Sequence, residues 1–324
     1  MKTVAVIGLG NIATRHRRNL KYLFPESRLL AMSASGRIPD ETISDCDQVV
    51  SSIEELIQQG VELALVGSPA PFHAQHAIPL LEAGIPTLIE KPVAADVEDT
   101  KKLLAVAYHT QTPVAVGYCL RYLPSAQVVK QLLDEESIGT LLNAQVEIGQ
   151  YLPDWRPTKD YRDTVSAQAC LGGGALLELS HELDYTQWLL GELDVQFSHL
   201  RSSTQLGLEV EDLVDTLATT ESGAVVSIHL DFLQRQAFRR CRFVGTQGTI
   251  EWDLIKNEVR QTLLTEPSVI YSAPDWDKNQ MYLNMIVDFV AKIEGKTNAC
   301  IDLNQAAKTI ELIETIQCGA TTAK

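Results

Sequence analysis

The sequence predicts an α/β protein built from an N-terminal Rossmann domain, a doubly wound parallel sheet over residues 1–121, and a C-terminal α+β domain with an open, mostly antiparallel sheet over residues 122–324. Three observations carry this. Short apolar runs alternate with helical segments through the first 120 residues, a glycine turn joins the first run to the first helix, and after Arg121 the apolar residues fall at every second position.

Thr3–Ile7 is a continuous apolar run, the mark of a strand covered on both faces. Residues 11–22 form a polar, arginine-rich helix, and residues 29–34 a second strand. A helix over 53–59 stops at Gly60, a strand covers 61–66, and a helix over 72–83 stops at Gly84. Strand 86–89, helix 96–109 and strand 113–117 complete the alternation. Beyond it, residues 124–135 read as a helix. In residues 142–148, Leu142, Ala144, Val146 and Ile148 fall on one face, with Asn143, Gln145 and Glu147 on the other. Residues 224–232 repeat the pattern, with Val226, Ile228, Leu230 and Phe232 opposite Ser227, His229 and Asp231. Tyr282, Met285, Ile286, Phe289, Val290 and Ile293 form a helical apolar stripe, and Asp302-x-x-Gln305 is a capping box for a last helix reaching about residue 317.

Composition narrows the function classes. The 324 residues suffice for two domains, and 45% hydrophobic content supports a large core. A formal net charge of −15 argues against a nucleic-acid partner, which needs a basic face. No apolar run is long enough for a membrane span. The N-terminal run breaks at Gly8-Leu9-Gly10-Asn11 and is followed by Arg15, Arg17 and Arg18, so a cytoplasmic protein is expected rather than an exported one. The six cysteines are scattered without a C-x-x-C, which points to reduced thiols, with neither a disulfide framework nor a metal site.

Gly8-x-Gly10-x-x-Ala13 follows a strand and opens a helix, the context of a dinucleotide-binding turn. Gly8 permits the tight turn, Gly10 admits the pyrophosphate, and Ala13 allows close helix–strand packing. An NAD site usually carries a carboxylate at the end of the second strand. Here the segment reads Met32-Ser33-Ala34-Ser35-Gly36-Arg37, and Ser35 and Arg37 suit a 2′-phosphate, so NADP is expected in preference to NAD. Ser68-Pro69 ends the third clear strand, at the carboxyl edge where ligands bind. His73 opens the next helix, either lining the cofactor crevice or serving as a polar helix end. Glu90-Lys91-Pro92 places a lysine at the end of a later parallel strand. Oxidising a carbinol or reducing a carbonyl builds charge on oxygen, and an ammonium there stabilises it.

With these residues the chain resembles the Gfo/Idh/MocA oxidoreductases, the glucose–fructose oxidoreductase and inositol dehydrogenase group. The resemblance rests on Gly8-Leu9-Gly10-Asn11-Ile12-Ala13, Ser68-Pro69 with His73, and Glu90-Lys91-Pro92. It extends to Gly117-Tyr118 with Arg121 and Pro124, Ile138-Gly139, Gly172-Gly173-Gly174 and Gly245-Thr246-Gln247-Gly248-Thr249-Ile250. It implies Lys91 as the catalytic lysine, cofactor contacts from Gly8, Gly10, Asn11, Ile12, Ser68, Pro69, Glu90, Lys91 and Arg121, and a homodimer or homotetramer through the C-terminal sheet. The family's proton-relay motif usually reads G-G-G-x-L-x-D-x-G-x-H-x-x-D. Here, counting from the glycines, Glu178 takes the Asp position and Glu182 the His position. Counting from His181-x-x-Asp184, His181 is the histidine and Leu177 falls on the Asp position. Residues 178, 181 and 182 at i, i+3 and i+4 share a helix face, so His181 is expected as acid/base with Glu178 beside it, and Glu182 is the competing relay and a substrate contact.

Residues 151–163 form an aromatic, polar loop with two prolines. Trp155 suits stacking on a sugar ring, and Arg156, Lys159 and Arg162 suit an anionic group. The matching Asp154, Asp160 and Asp163 equally describe a surface salt-bridge loop. This run, with Ser180-His181-Glu182-Leu183-Asp184, resembles a subgroup associated with bacterial surface-sugar and nonulosonic-acid pathways. The expected function is hydride transfer between NAD(P) and a hydroxyl or ketone of a sugar-like small molecule. The alternatives are a nucleotide-binding sensor without chemistry and an NAD-dependent oxidising glycosidase.

Overall fold

The computed structural model describes residues 1–323. The chain divides into two compact units, Met1–Cys119 with Asn279–Ile310, and Leu120–Lys278 with the segment from Glu311 onward. A single boundary near residue 121 omits the return of residues 279–310 to the first unit. That return has a physical basis. Asn279 Nδ2 donates to Asn19 Oδ1 at 2.9 Å, and Ile301 O accepts the Val116 amide at 2.9 Å.

The first unit begins β1 (Thr3–Ile7), α1 (Asn11–Leu23), β2 (Arg28–Met32), β3 (Gln48–Val50), α2 (Ile53–Gln58) and β4 (Leu63–Val66). It continues with α3 (His73–Glu82), β5 (Thr87–Ile89), α4 (Val97–Thr110) and β6 (Val114–Val116). The six strands are all parallel, in the order β3-β2-β1-β4-β5-β6, the doubly wound arrangement in which strand order reverses beside β1. Val4–Ile7 and Leu63–Val66 are wholly buried, as expected for strands with helices on both faces.

The second unit opens with α5 (Pro124–Asp134) and β7 (Leu141–Gly149), then α6 (Ala175–Glu178) and α7 (Ser180–Leu190). There follow β8 (Leu193–Arg201), β9 (Leu213–Thr220), β10 (Val225–Asp231), β11 (Phe238–Gly245), β12 (Thr249–Asp253), β13 (Glu258–Thr262) and β14 (Pro267–Ser272). After α8 (Gln280–Ile293), which belongs to the first unit, α9 (Leu303–Cys318) and β15 (Ala320–Ala323) end the described chain. The capping box opens α9 reciprocally: the Gln305 amide donates to Asp302 Oδ1 at 2.8 Å and the Asp302 amide to Gln305 Oε1 at 3.4 Å.

The nine-stranded sheet runs β14-β13-β12-β11-β7-β10-β9-β8-β15 and is antiparallel except at β7/β10 and β8/β15. Ala144, Val146 and Ile148 pair with Val226, Ile228 and Leu230 on its buried face. Leu142, expected on that face, is 52% exposed. It lies where the ladder to β11 slips register between Val244 and Gly245. The opposite face carries a cross-strand row of His199, Asp215, His229, Glu147, Arg240, Asp253 and Glu258. Its basic and acidic side chains largely alternate, which favours the register. No helix among the described residues is long and apolar enough to cross a membrane.

Candidate active site

Parallel topology brings the predicted nucleotide residues of the first unit to one edge of its sheet. Gly8 follows β1, Ser35 and Arg37 follow β2, Ser68 follows β4, and Glu90 and Lys91 follow β5. Strand-end bonds hold the edge together: Gly8 N to Met32 O at 2.7 Å, Gly67 N to Ile7 O at 2.7 Å, and Glu90 N to Val66 O at 2.8 Å.

The glycine turn is shaped as a cradle. Gly8 has φ +111°, and a Cβ there would stand 2.4 Å from Gly67 O, so no other residue fits. A Cβ on Gly10 would meet nothing within 4 Å, which leaves that face of the turn open to a ligand. Gly10 caps α1 without a side-chain bond, and the first intrahelical bond is Thr14 N to Gly10 O at 2.9 Å. The amides of Asn11, Ile12 and Ala13 thus form an N-terminal donor set suited to a pyrophosphate. Below the turn, buried Arg17 donates to Ser44 O at 2.9 Å and Thr14 Oγ1 at 3.0 Å, and burial lowers its pKa.

After β2, Ser33 Oγ donates to Arg37 O at 2.7 Å and closes a tight turn. Ser35 and Arg37 are exposed, and the Arg37 guanidinium makes no ion pair among the described residues. No carboxylate stands between Met32 and Arg37.

Ser68 is gripped by two histidines one helical turn apart on α3. His73 Nε2 lies 2.7 Å from Ser68 O and its Nδ1 2.9 Å from Pro92 O. Sequence placed His73 among the cofactor contacts. Its ring is instead buried between two protein carbonyls, where it ties the β4 end to the turn after Lys91. Burial lowers its pKa against the pull of those carbonyls. His76, which sequence reasoning missed, bridges Ser68 Oγ (2.9 Å) and Ala34 O (3.1 Å). Burial lowers its pKa, so the ring is neutral and Nε2, facing a carbonyl, carries the proton. Nδ1 therefore accepts from the Ser68 hydroxyl. The signal was present in the spacing His73-x-x-His76, which puts both rings on one face.

Glu90 is buried and Lys91 partly exposed. Glu90 Oε1 lies 2.6 Å from His16 Nε2, and Oε2 accepts the Lys91 amide at 3.0 Å. Burial alone raises the Glu90 pKa, but the bonds from His16 and the Lys91 amide outweigh it and hold the carboxyl below its ordinary range. His16 was also missed. Ala13, His16, Arg17 and Leu20 follow the i, i+3, i+4, i+7 stripe that α1 buries.

In the second unit, Gly173 and Gly174 pack too closely for side chains, since Cβ atoms would stand 2.6 Å from Val165 O and 2.5 Å from Glu211 Oε1. Glu211 Oε1 accepts the Leu176 amide at 3.0 Å. Residues 178, 181 and 182 do not share one continuous helix, because Leu179 (φ −98°, ψ 24°) separates α6 from α7. Glu178 accepts from Ser166 Oγ at 3.1 Å, and His181 lies partly exposed in the first turn of α7. Glu182, expected as a relay or substrate contact, is fully buried. It takes a bidentate pair from Arg239 of β11 (2.7 and 3.0 Å) and a bond from Tyr185 Oη (3.2 Å), so it serves the core. Arg121, expected at the cofactor, is likewise committed. Its guanidinium forks onto buried Asp184 at 2.9 and 2.6 Å.

The 151–163 loop contains two short 3₁₀ turns, Leu152–Trp155 and Tyr161–Asp163. Trp155 Nε1 donates to Gln150 O at 3.2 Å, with the ring against Phe232. Exposed Arg162 pairs with Asp160 at 3.4 Å, the surface arrangement that the matching charges also described. Arg156 is partly exposed.

Two family models match. Residues 2–118 fit the oxidoreductase family with an NAD-binding Rossmann fold, and residues 126–251 fit the GFO/IDH/MocA C-terminal domain. Inositol 2-dehydrogenase 3 of Saccharopolyspora erythraea is 28% identical over 261 residues, covering 76% of this chain and 72% of that protein. A levoglucosan dehydrogenase in complex with NADH superposes with a TM-score of 0.83 at 19% identity, over 98% of both chains. The WlbA dehydrogenase of Bordetella pertussis, in complex with NADH and UDP-GlcNAcA, gives 0.80 at 18% identity over 98% of this chain and 96% of that one. The likeness to the solved structures carries the fold. The two family models, spanning most of the sequence, establish that the chain belongs to the GFO/IDH/MocA oxidoreductases with their NAD-binding Rossmann fold.

Proposed function

We propose that this chain is an NADP-preferring dehydrogenase that interconverts a secondary hydroxyl and a ketone on a sugar or cyclic polyol. The carrying observation is the nucleotide cradle on the same sheet edge as Lys91. A bound nicotinamide supplies or accepts the hydride. Gly8 and Gly10 with the amides of Asn11 and Ile12 hold the pyrophosphate, Ser68 and Pro69 line the edge, and Ser35 and Arg37 receive the 2′-phosphate. The ammonium of Lys91 polarises the substrate oxygen, and His181 carries the proton, with Glu178 as its acidic neighbour in sequence. Trp155 and Arg156 contribute substrate contacts from their loop. His73 and Arg121 act on the protein itself, as clamps rather than cofactor ligands.

A polyol or sugar is supported by the likeness to an inositol dehydrogenase. We also propose self-association through the second unit's sheet, whose outer side exposes Phe197 (50%) and Leu217 (41%) as direct cross-strand partners.

The test is nicotinamide absorbance with inositols, free hexoses and nucleotide-linked sugars. Net reduction of added NADP is expected. A sensor would bind nucleotide without turnover, and an oxidising glycosidase would turn over without net cofactor change. Lys91→Ala is expected to bind NADPH as the parent does and to lose about 10²–10³-fold in kcat. Full activity in that variant rejects the assignment.

A further inference from the structure

Behind Lys91 lies a buried pair that no motif assigns. His16 is completely buried on α1, with Nε2 2.6 Å from Glu90 Oε1, while the second oxygen of that carboxylate accepts the Lys91 amide at 3.0 Å. Room for the carboxylate comes from Gly117, where a Cβ would stand 3.1 Å from Glu90 Cδ. The imidazole packs edge-on against Tyr282, with centroids 5.8 Å apart, and the Arg15 guanidinium covers that tyrosine at 4.6 Å.

The other ring nitrogen decides the protonation state. His16 Nδ1 is buried and has no hydrogen-bond partner among the described residues. An imidazolium would bury a second N–H with nothing to receive it. A neutral ring with its proton on Nδ1 would set a lone pair against the Glu90 carboxylate. The neutral Nε2–H tautomer alone donates to Glu90 and leaves only a lone pair unmatched.

We propose that His16 is a positioning residue for Lys91. As the neutral Nε2–H tautomer it fixes the Glu90 carboxylate, which holds the Lys91 amide and so aims the lysine at the substrate oxygen. The chain of bonds also joins the helix whose N-terminus faces the nucleotide to the turn that carries the lysine. The proposal rests on the reading of Lys91 as the polarising group.

Three variants of the full chain separate donor chemistry from packing. The amide nitrogen of His16→Gln reaches the place of Nε2, that of His16→Asn does not, and His16→Leu has no donor. Hydrogen exchange at the Lys91 amide needs no substrate. It is expected to stay near parental in the Gln variant and to rise by about tenfold or more in the Asn and Leu variants. On whichever sugar the parent oxidises, kcat is expected to fall about tenfold or more in Asn and Leu and to recover in Gln, with KM and NADPH affinity within about twofold throughout. Nitrogen NMR should show His16 protonated on Nε2 alone. A proton on Nδ1, unchanged Lys91 exchange in the Leu variant, or a Gln variant as impaired as Leu overturns the proposal. So does faster exchange spread evenly over α1 and β5, which marks packing alone. An inactive Lys91→Ala beside a fully active His16→Leu removes only this proposal, whereas an active Lys91→Ala removes the lysine assignment itself.

Discussion

Single residues decide which nucleotide the cradle accepts. The turn after β2 offers the Ser35 hydroxyl and an Arg37 guanidinium uncommitted to any acid among the described residues, and nothing in 32–37 repels a phosphate. Arg37→Ala is expected to weaken NADPH binding by about tenfold and leave NADH binding nearly unchanged, as read by calorimetry. Equal loss for both nucleotides, or a parental preference for NADH, would reverse the assignment. At this scale the sequence was legible where chemistry follows backbone demand: Gly8 could be read because only glycine fits φ +111° beside Gly67 O. Arg121 and Glu182 were not, because a charged residue looks the same in sequence whether it meets a ligand or a buried partner. Asp184 and Arg239 claimed them through contacts 63 and 57 residues away.

At the scale of elements, apolar patterning revealed the parallel strands apart from the three-residue β3, and the buried face of β7 and β10, but strands β11 to β13, rich in exposed charge, gave it little signal. Their order comes from partners across the sheet. The outer row shows what that order does. His229 lies 2.7 Å from Asp215 and 2.9 Å from Asp231, with Glu147 opposite on β7. The bond to Asp231, opposed by partial burial and reinforced by Asp215, pushes the His229 pKa from 6.5 up to about 9. Because the folded value is raised, the pair stabilises the fold fully below the ordinary histidine pKa, and that contribution is lost as pH rises through about 9. Melting temperature is expected to decline over that window in the parent and to decline less in His229→Leu. Parallel pH profiles for the two would contradict the charge assignment.

For the molecule as a whole, the doubly wound sheet and the open sheet were both readable from the sequence. The return of residues 279–310 to the first unit was not, since an apolar helical stripe says only that it is covered and not by what. Oligomerisation belongs to this scale. Sedimentation is expected to give a dimer or tetramer, and Leu217→Lys, placed on the open face beside Phe197, is expected to shift it toward monomer with the fold retained. A parent that sediments as a monomer would end that proposal.

The discontinuous first unit also governs how the protein can be cut. A fragment stopping at residue 121 would carry every glycine of the cradle and yet lack Asn279 against Asn19, Tyr282 against His16, and the Ile301 carbonyl that receives Val116. A minimal nucleotide-binding module must therefore be spliced from two stretches of chain. An isolated N-terminal third, however faithful its motifs, would leave His16 uncovered on the side that Tyr282 shields.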